Sequence, residues 1–177
     1  MAIREVRSLQ DAVLRRKARK VTDFGTELQT LIDDMVETMR AEPGVGLAAT
    51  QVGVSWRVIV VEYNEEEDEK IPPKLYTLVN PEITRTSKET VVGSEGCLSI
   101  PGYWGEVERF EAVTVKGQNR RGQPMTIKAK GWLARIFQHE VDHLNGKVFL
   151  DRMTDFSTLT QLDEFDRYWR QEHAAVI

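Results

Sequence analysis

The chain has 177 residues, 41% of them apolar and 29% charged, with a net charge of −4 at pH 7. That length and composition suit one domain, residues 1–177, with a real hydrophobic core. They argue against general nucleic-acid binding, which needs a basic face, against a membrane span, since no apolar run is long enough, and against an internal disulfide, because Cys97 is the single cysteine.

The first residues, Met1 to Val6, show neither an apolar signal core nor an Arg/Ser-rich transit pattern, so a cytoplasmic location is expected. Residues 8–20 read as a short helix or irregular arm. A longer helix is expected from near Phe24, capped by Thr22 or Asp23, with Leu28, Leu31, Ile32, Met35, Val36 and Met39 at helical spacing. Pro43-Gly44 ends it. The run Gly44 to Gln51 holds two glycines among small residues, suggesting a tight turn or a backbone that something approaches closely.

Arg57 to Tyr63 reads as a buried strand, and Asn64 to Lys70 as a solvated acidic loop. Leu75 to Val79 reads as a strand closed by Asn80-Pro81, and Thr90 to Val92 as another. Val107–Phe110, Ala112–Lys116 and Pro124–Ala129 follow as strands, the last two joined by turn chemistry at Asn119 to Gly122. A helix is expected from Gly131 to Leu144, stopped by Asn145-Gly146. Residues 155–177 read as a final amphipathic helix with Leu159, Leu162, Phe165, Tyr168 and Trp169 toward one side. The order is α+β: antiparallel sheets packed around a central helix, with an N-terminal and a C-terminal helix.

That central helix carries Gln138-His139-Glu140-Val141-Asp142-His143, an H-E-x-x-H pattern. Positions i and i+4 share a helix face, so His139 and His143 can point at one metal ion. Glu140 then stands where a carboxylate takes a proton from an activated water. Trp132, Arg135 and Ile136 fall on or beside the same stripe. The third ligand is open on these grounds. His173, Asp151 and Glu164 lie downstream, and Cys97 lies upstream between Gly96 and Leu98. A lone cysteine is ordinarily a small buried hydrophobe.

Three segments together resemble peptide deformylase. Gly44 to Gln51 matches G-φ-G-φ-A-A-x-Q (φ apolar), Glu95 to Ser99 matches E-G-C-L-S, and Gln138 to His143 matches Q-H-E-x-D-H. The likeness runs from about Val6 to Met153. It implies that Cys97, His139 and His143 hold one divalent ion, ferrous iron in cells, with zinc, nickel or cobalt as substitutes. It further implies that Glu140 is the proton carrier, and that the Gln51 amide and the Leu98 N–H stabilise an oxyanion. The substrate would be the N-formyl-methionyl end of a nascent peptide, lying as a strand along Val45, Gly46 and Gly96. Trp132 and the stem of Arg135 are candidates for the methionine pocket. Trp132 reads equally as a core aromatic, and the Arg135 head is expected in solvent.

Some positions depart from the family. Ala12 stands where many relatives have proline, and Trp132 where an aliphatic residue is common. Residues 155–177 hold five acids against two arginines, so ribosomal RNA docking through a basic C-terminal helix is not expected. Two other readings are a zinc endopeptidase and a non-catalytic binder of formylated N-termini. Intact Glu140 and Gln51 argue against the binder.

Overall fold

A computed structural model describes residues 2–42, 44–64 and 72–161. Among these residues the architecture is α+β, with antiparallel sheets and two α-helices. No described helix is long and apolar enough to cross a membrane.

Helix α1 spans Thr26–Ala41 and buries Leu28, Leu31, Ile32, Met35 and Met39, the periodic positions of the sequence. Its N-cap is Gly25 rather than Thr22 or Asp23, and no side chain bonds into the first turn. Asp23 instead accepts the Gly25 N–H at 2.8 Å, closing the turn just outside the helix.

Strand β1, Gly46–Ala48, pairs with β2, Val58–Tyr63, with Gly46 opposite Val61 and Ala48 opposite Ile59. The segment expected as a turn is thus a short edge strand, followed by a 3-10 turn at Ala49–Val52. Strand β2 is buried on both faces. Val58 and Val60 pack on the α1 cluster, while Ile59 and Val61 pack on the opposite cluster. Its near-continuous run of β-branched residues reflects that double burial.

Strand β3 runs Lys74–Thr86 and does not stop at Asn80-Pro81. Asn80 takes a left-handed φ of 54°, and the pairing register shifts between Val79 and Glu82. A bulge is where a proline, lacking its N–H, is tolerated inside a strand. Asn80 also bonds Val21 through both N–H and C=O, at 2.8 and 2.9 Å. Strands β4 (Thr90–Cys97) and β5 (Ile100–Phe110) form one long hairpin. Both are longer than the sequence suggested. Strands β6 (Ala112–Gln118) and β7 (Pro124–Lys130) form a second hairpin, as expected.

The five-stranded sheet has the order β1-β2-β3-β6-β7. The three-stranded sheet is β4-β5-β8, where β8 is Thr160–Gln161. Residues 155–161 therefore do not begin a helix. Asp155 accepts the Ser157 N–H at 2.8 Å, fixing a 3-10 turn at Phe156–Thr158 that delivers β8 onto β5. The rest of the expected C-terminal helix lies outside the described residues.

Helix α2, Gly131–Leu144, is buried at every residue from Leu133 to Leu144. It packs on β1, β2, β3, β6 and β7 of one sheet and on β5 of the other. Ile136, Phe137, Val141 and Leu144 join Ile59, Leu78 and Val115 in one cluster. A smaller cluster of Cys97, Ile100, Val107, Val148, Phe149 and Met153 lies against the β4–β5 hairpin.

Candidate metal and catalytic site

The helical spacing of α2 brings His139 and His143 together, with ring centroids 5.0 Å apart. Cys97 reaches them from the last residue of β4, where the register slips between Gly96 and Cys97 before the turn into β5. The Cys97 Sγ lies 3.2 Å from His143 Nε2. One donor atom from each of Cys97, His139 and His143 falls within 4.8 Å of the others, and all three residues are buried. The downstream acid Asp151 is turned elsewhere, pairing with Arg15 and accepting the Val148 N–H. Glu164 and His173 lie outside the described residues.

The orientation of His139 is set by Glu95. His139 Nδ1 meets Glu95 Oε2 at 2.9 Å, which leaves Nε2 pointing inward. A carboxylate behind a ligating imidazole fixes its tautomer and raises its basicity. Glu95 is fully buried and is also gripped by the Arg109 fork at 2.8 and 2.9 Å and by Arg135 at 2.9 Å. Burial alone would raise its pKa. The Arg109 pair, aided by His139, instead holds the Glu95 carboxyl well below the usual carboxylate range. Arg109 also donates to Asp142 at 2.6 Å, and Arg152 pairs with the same carboxylate.

Glu140 contrasts with Glu95. Neither of its carboxylate oxygens has a hydrogen-bond partner, although the residue is completely buried. Burial, reinforced by the Glu95 charge, holds its pKa well above the usual carboxylate value. Burial likewise pushes the Cys97 thiol up to about 12, against hydrogen bonding from Ser99, and depresses His143. Each group is thus driven toward its neutral form. His139 Nε2 and His143 Nδ1 are buried without partners too. Orphaned buried polar atoms call for an explanation. A divalent ion between one thiolate and two imidazoles supplies one for His139 Nε2 and Glu140, because it favours the thiolate and gives a nearby carboxylate a counter-charge. His143 turns Nε2 toward Cys97, so its Nδ1 faces away from such an ion. The residues present fit such an ion.

Gln51 is fully buried. Its Oε1 accepts the Ala48 N–H at 2.8 Å, which turns the amide NH2 toward Cys97 Sγ (3.6 Å) and Ser99 Oγ (3.4 Å). The glycines answer to their neighbours. A Cβ on Gly44 would stand 2.9 Å from Leu98 Cδ1, and one on Gly46 would collide with Glu140. A Cβ on Gly96 would lie 2.8 Å from the Trp104 ring. Val45 is half-buried and accepts the Glu62 N–H through its carbonyl.

Arg135 departs from expectation. Its head is not in solvent: the side chain is 6% exposed and the guanidinium bonds Glu95 and three backbone carbonyls. Trp132 is half-buried, with the Arg135 guanidinium 5.5 Å from its ring centroid. Both line a small cleft of about 160 Å³ together with Val91, Gly93 and Phe110.

Sequence reasoning missed Glu95, Arg109, Asp142 and Ser99 as parts of the site. Glu95, Ser99 and Asp142 sit inside the matched motifs, and that position was the available signal. Arg109 carried none, since an arginine in a strand reads as a surface cation.

The polypeptide deformylase family model matches residues 3–158. A peptide deformylase of Halothermothrix orenii is 50% identical over 153 residues, covering 86% of this chain and 95% of that protein. The crystal structure of peptide deformylase from Thermotoga maritima superposes with a TM-score of 0.80 at 41% identity, covering 88% of this chain and all of that one (100%). The Ehrlichia chaffeensis peptide deformylase in complex with actinonin gives 0.82 at 36% identity, over 98% and 100% of the two chains.

Proposed function

The chain belongs to the polypeptide deformylase family, and from that premise we propose how its residues divide the work. The protein is a metal-dependent hydrolase that removes the N-formyl group from newly made proteins. An internal endopeptidase and a non-catalytic binder are not favoured.

In our reading the whole chain, 1–177, is one catalytic domain arranged around α2. Cys97, His139 and His143 hold one divalent ion. The observation that carries this is the meeting of their donor atoms within 4.8 Å, beside a buried Glu140 carboxylate that has no hydrogen-bond partner. Ferrous iron is the proposed ion in cells, with zinc, nickel and cobalt compatible with the same donors. When bound, the ion supplies Lewis acidity, lowering the pKa of a water and polarising the formyl carbonyl.

Glu140 takes the proton from the attacking water: it is buried beside the proposed ligands, and no hydrogen bond competes for either carboxylate oxygen. The water oxygen bonds to the formyl carbon, and the carbonyl oxygen gains charge. The Gln51 NH2 and the Leu98 N–H are the proposed donors to that oxygen. Ala48 keeps the Gln51 amide turned the right way. Glu140 then gives its proton to the nitrogen, the C–N bond breaks, and formate and a free amine leave.

The peptide is proposed to extend along Val45, Gly46 and Gly96, adding a strand between the edge strand β1 and the β4 edge. Trp132 and the Arg135 stem would form part of the methionine pocket. The C-terminal acids still argue against docking on ribosomal RNA by that segment, so we propose that nascent chains are met by diffusion, in the cytoplasm.

The test is formate release from a formyl-Met tripeptide by anaerobically purified protein of measured metal content, beside Glu140→Ala and Cys97→Ala. The expected result is rapid release by the wild type and collapse in both variants, with metal kept by Glu140→Ala and lost by Cys97→Ala. Cleavage of unformylated peptides, or binding without formate release, would overturn the reading.

A further inference from the structure

We propose that Arg135 is a positioning residue that sets the distance between the thiol and imidazole ligands by clamping the β4–β5 hairpin onto α2. The inference rests on the ligand assignment above. The three donors come from two elements: Cys97 ends β4, while His139 and His143 belong to α2. Helix geometry fixes the spacing of the two histidines. The distance from either to Cys97 depends on how the hairpin docks on the helix.

The polar ties across that junction are unequal. Gln138 bonds the backbone of Phe110 and Asp142 pairs with Arg109, so both hold β5, while His139 reaches β4 alone, through Glu95. Arg135 holds both strands. Its Nη1 donates to the β4 carbonyl of Gly93 at 3.2 Å, to Glu95 Oε1 at 2.9 Å and to the β5 carbonyl of Val107 at 2.8 Å. Its Nη2 donates to the Val91 carbonyl at 2.7 Å. Arg135 stands one turn before His139, on the same face of α2. Its carboxylate partner, Glu95, is the one that orients His139, and Cys97 follows Glu95 by two residues.

Two features show that the contact is built. A Cβ on Gly93 would lie 2.9 to 3.2 Å from the guanidinium atoms, so glycine is what lets the head lie against β4. Burying a charge is also a poor route to stability, since apolar residues of similar volume often do as well. A planar fork with fixed donors gives orientation, which a hydrophobic contact or a lysine does not.

The probe is Co2+, whose visible bands report thiolate ligation and coordination geometry. The cobalt spectrum and the rate of cobalt release to a chelator are measured for wild type, Arg135→Met, Arg135→Lys and Ile32→Ala. Ile32 is a buried core residue on α1, so its truncation destabilises the protein without removing any polar tie between the hairpin and α2. We expect both Arg135 variants to release cobalt roughly 10–100-fold faster, with altered bands. Ile32→Ala should keep the wild-type spectrum and release rate. Arg135→Lys keeps the charge but not the fork, and it carries the test if Arg135→Met does not fold. Wild-type bands and release rates in the Arg135 variants would reduce Arg135 to a structural residue and overturn the inference alone. Failure of the wild type to take up cobalt would overturn the ligand assignment, and the inference with it.

Discussion

A side chain at Gly46 would take the place where the Glu140 carboxylate now lies. A Cβ built on Gly46 overlaps Glu140 Oε1 and stands 3.1 Å from Ile136 Cγ2. The missing side chain at residue 46 thus leaves room for Glu140 and Ile136 of α2 against strand β1. The space so freed is filled by the group proposed to carry the proton.

Gly46→Ala is expected to push the Glu140 carboxylate from its place while leaving Cys97, His139 and His143 undisturbed. Misplacing a general acid–base group costs about 10²–10⁴-fold in rate. The measurement is formate release per metal-loaded protein, with metal content determined on the same sample. Full activity with full metal would show that the Glu140 carboxylate finds a working position beside a Gly46 side chain, and that Gly46 is not what places it.

Glu95→Gln tests the carboxylate behind His139. Glu95 is a buried anion shared by Arg109, Arg135 and His139. Its neutral isostere leaves two buried guanidinium groups short of a counter-charge. Breaking one side of such a buried pair costs about 3–5 kcal/mol, and loss of the partner behind a ligating histidine weakens metal binding by roughly 10–100-fold. Chemical denaturation and a chelator titration check the two effects separately. Unchanged stability would mean that the arginines find other partners.

The difference between what the sequence showed and what it hid follows from how these residues bond. His139, Glu140 and His143 were legible as candidates because H-E-x-x-H is a fixed pattern and helical spacing brings the histidines together, whereas Cys97 looked like a buried hydrophobe until the family resemblance named it. The Glu95 network was not legible, because its bonds join β4, β5 and α2. Arg109 and Arg135 look like ordinary surface cations until the hairpin is folded onto the helix. Strand β3 was cut short because Asn80-Pro81 has turn chemistry, yet a bulge absorbs it within the strand. Amphipathic periodicity suggested a helix from residue 155. The Asp155 cap and pairing with β5 outweigh it as far as Gln161.

Asp34 provides a pH prediction away from the site. It accepts the Ala2 N–H at 2.7 Å and the Arg4 Nε at 3.0 Å, tying the N-terminal arm to α1. Burial opposes ionisation, but these partners together hold its carboxyl below the usual range. A carboxyl with a lowered folded pKa contributes stability that is fully present above its ordinary value of about 4 and is lost as pH falls through the folded value. Protection of the amides of residues 2–4, measured against their intrinsic exchange rates at each pH, should therefore fall below about pH 4. Asp34→Asn should show fast exchange already at neutral pH and no further change in that acid window. Slow exchange in the variant at neutral pH would show that the arm is held by its remaining bonds, Arg4 N–H to Thr38 Oγ1 and Arg7 N–H to the Gln51 carbonyl.

Gln51 separates a donor to the oxyanion from a residue that merely fills space. Its amide is held by the Ala48 N–H, so the NH2 end faces the thiol. Gln51→Glu keeps the size but replaces the donor with a carboxylate oxygen, which repels developing negative charge. Gln51→Met keeps the approximate volume and supplies no donor. Removing one oxyanion donor typically costs about 10²–10³-fold in kcat, and both variants are expected to show at least that loss, Gln51→Glu the larger. Metal content and KM should change little, because Gln51 is not among the three ligands. If Gln51→Met retained wild-type kcat, the oxyanion would be stabilised without this side chain, and Gln51 would serve only to brace the 3-10 turn against Cys97.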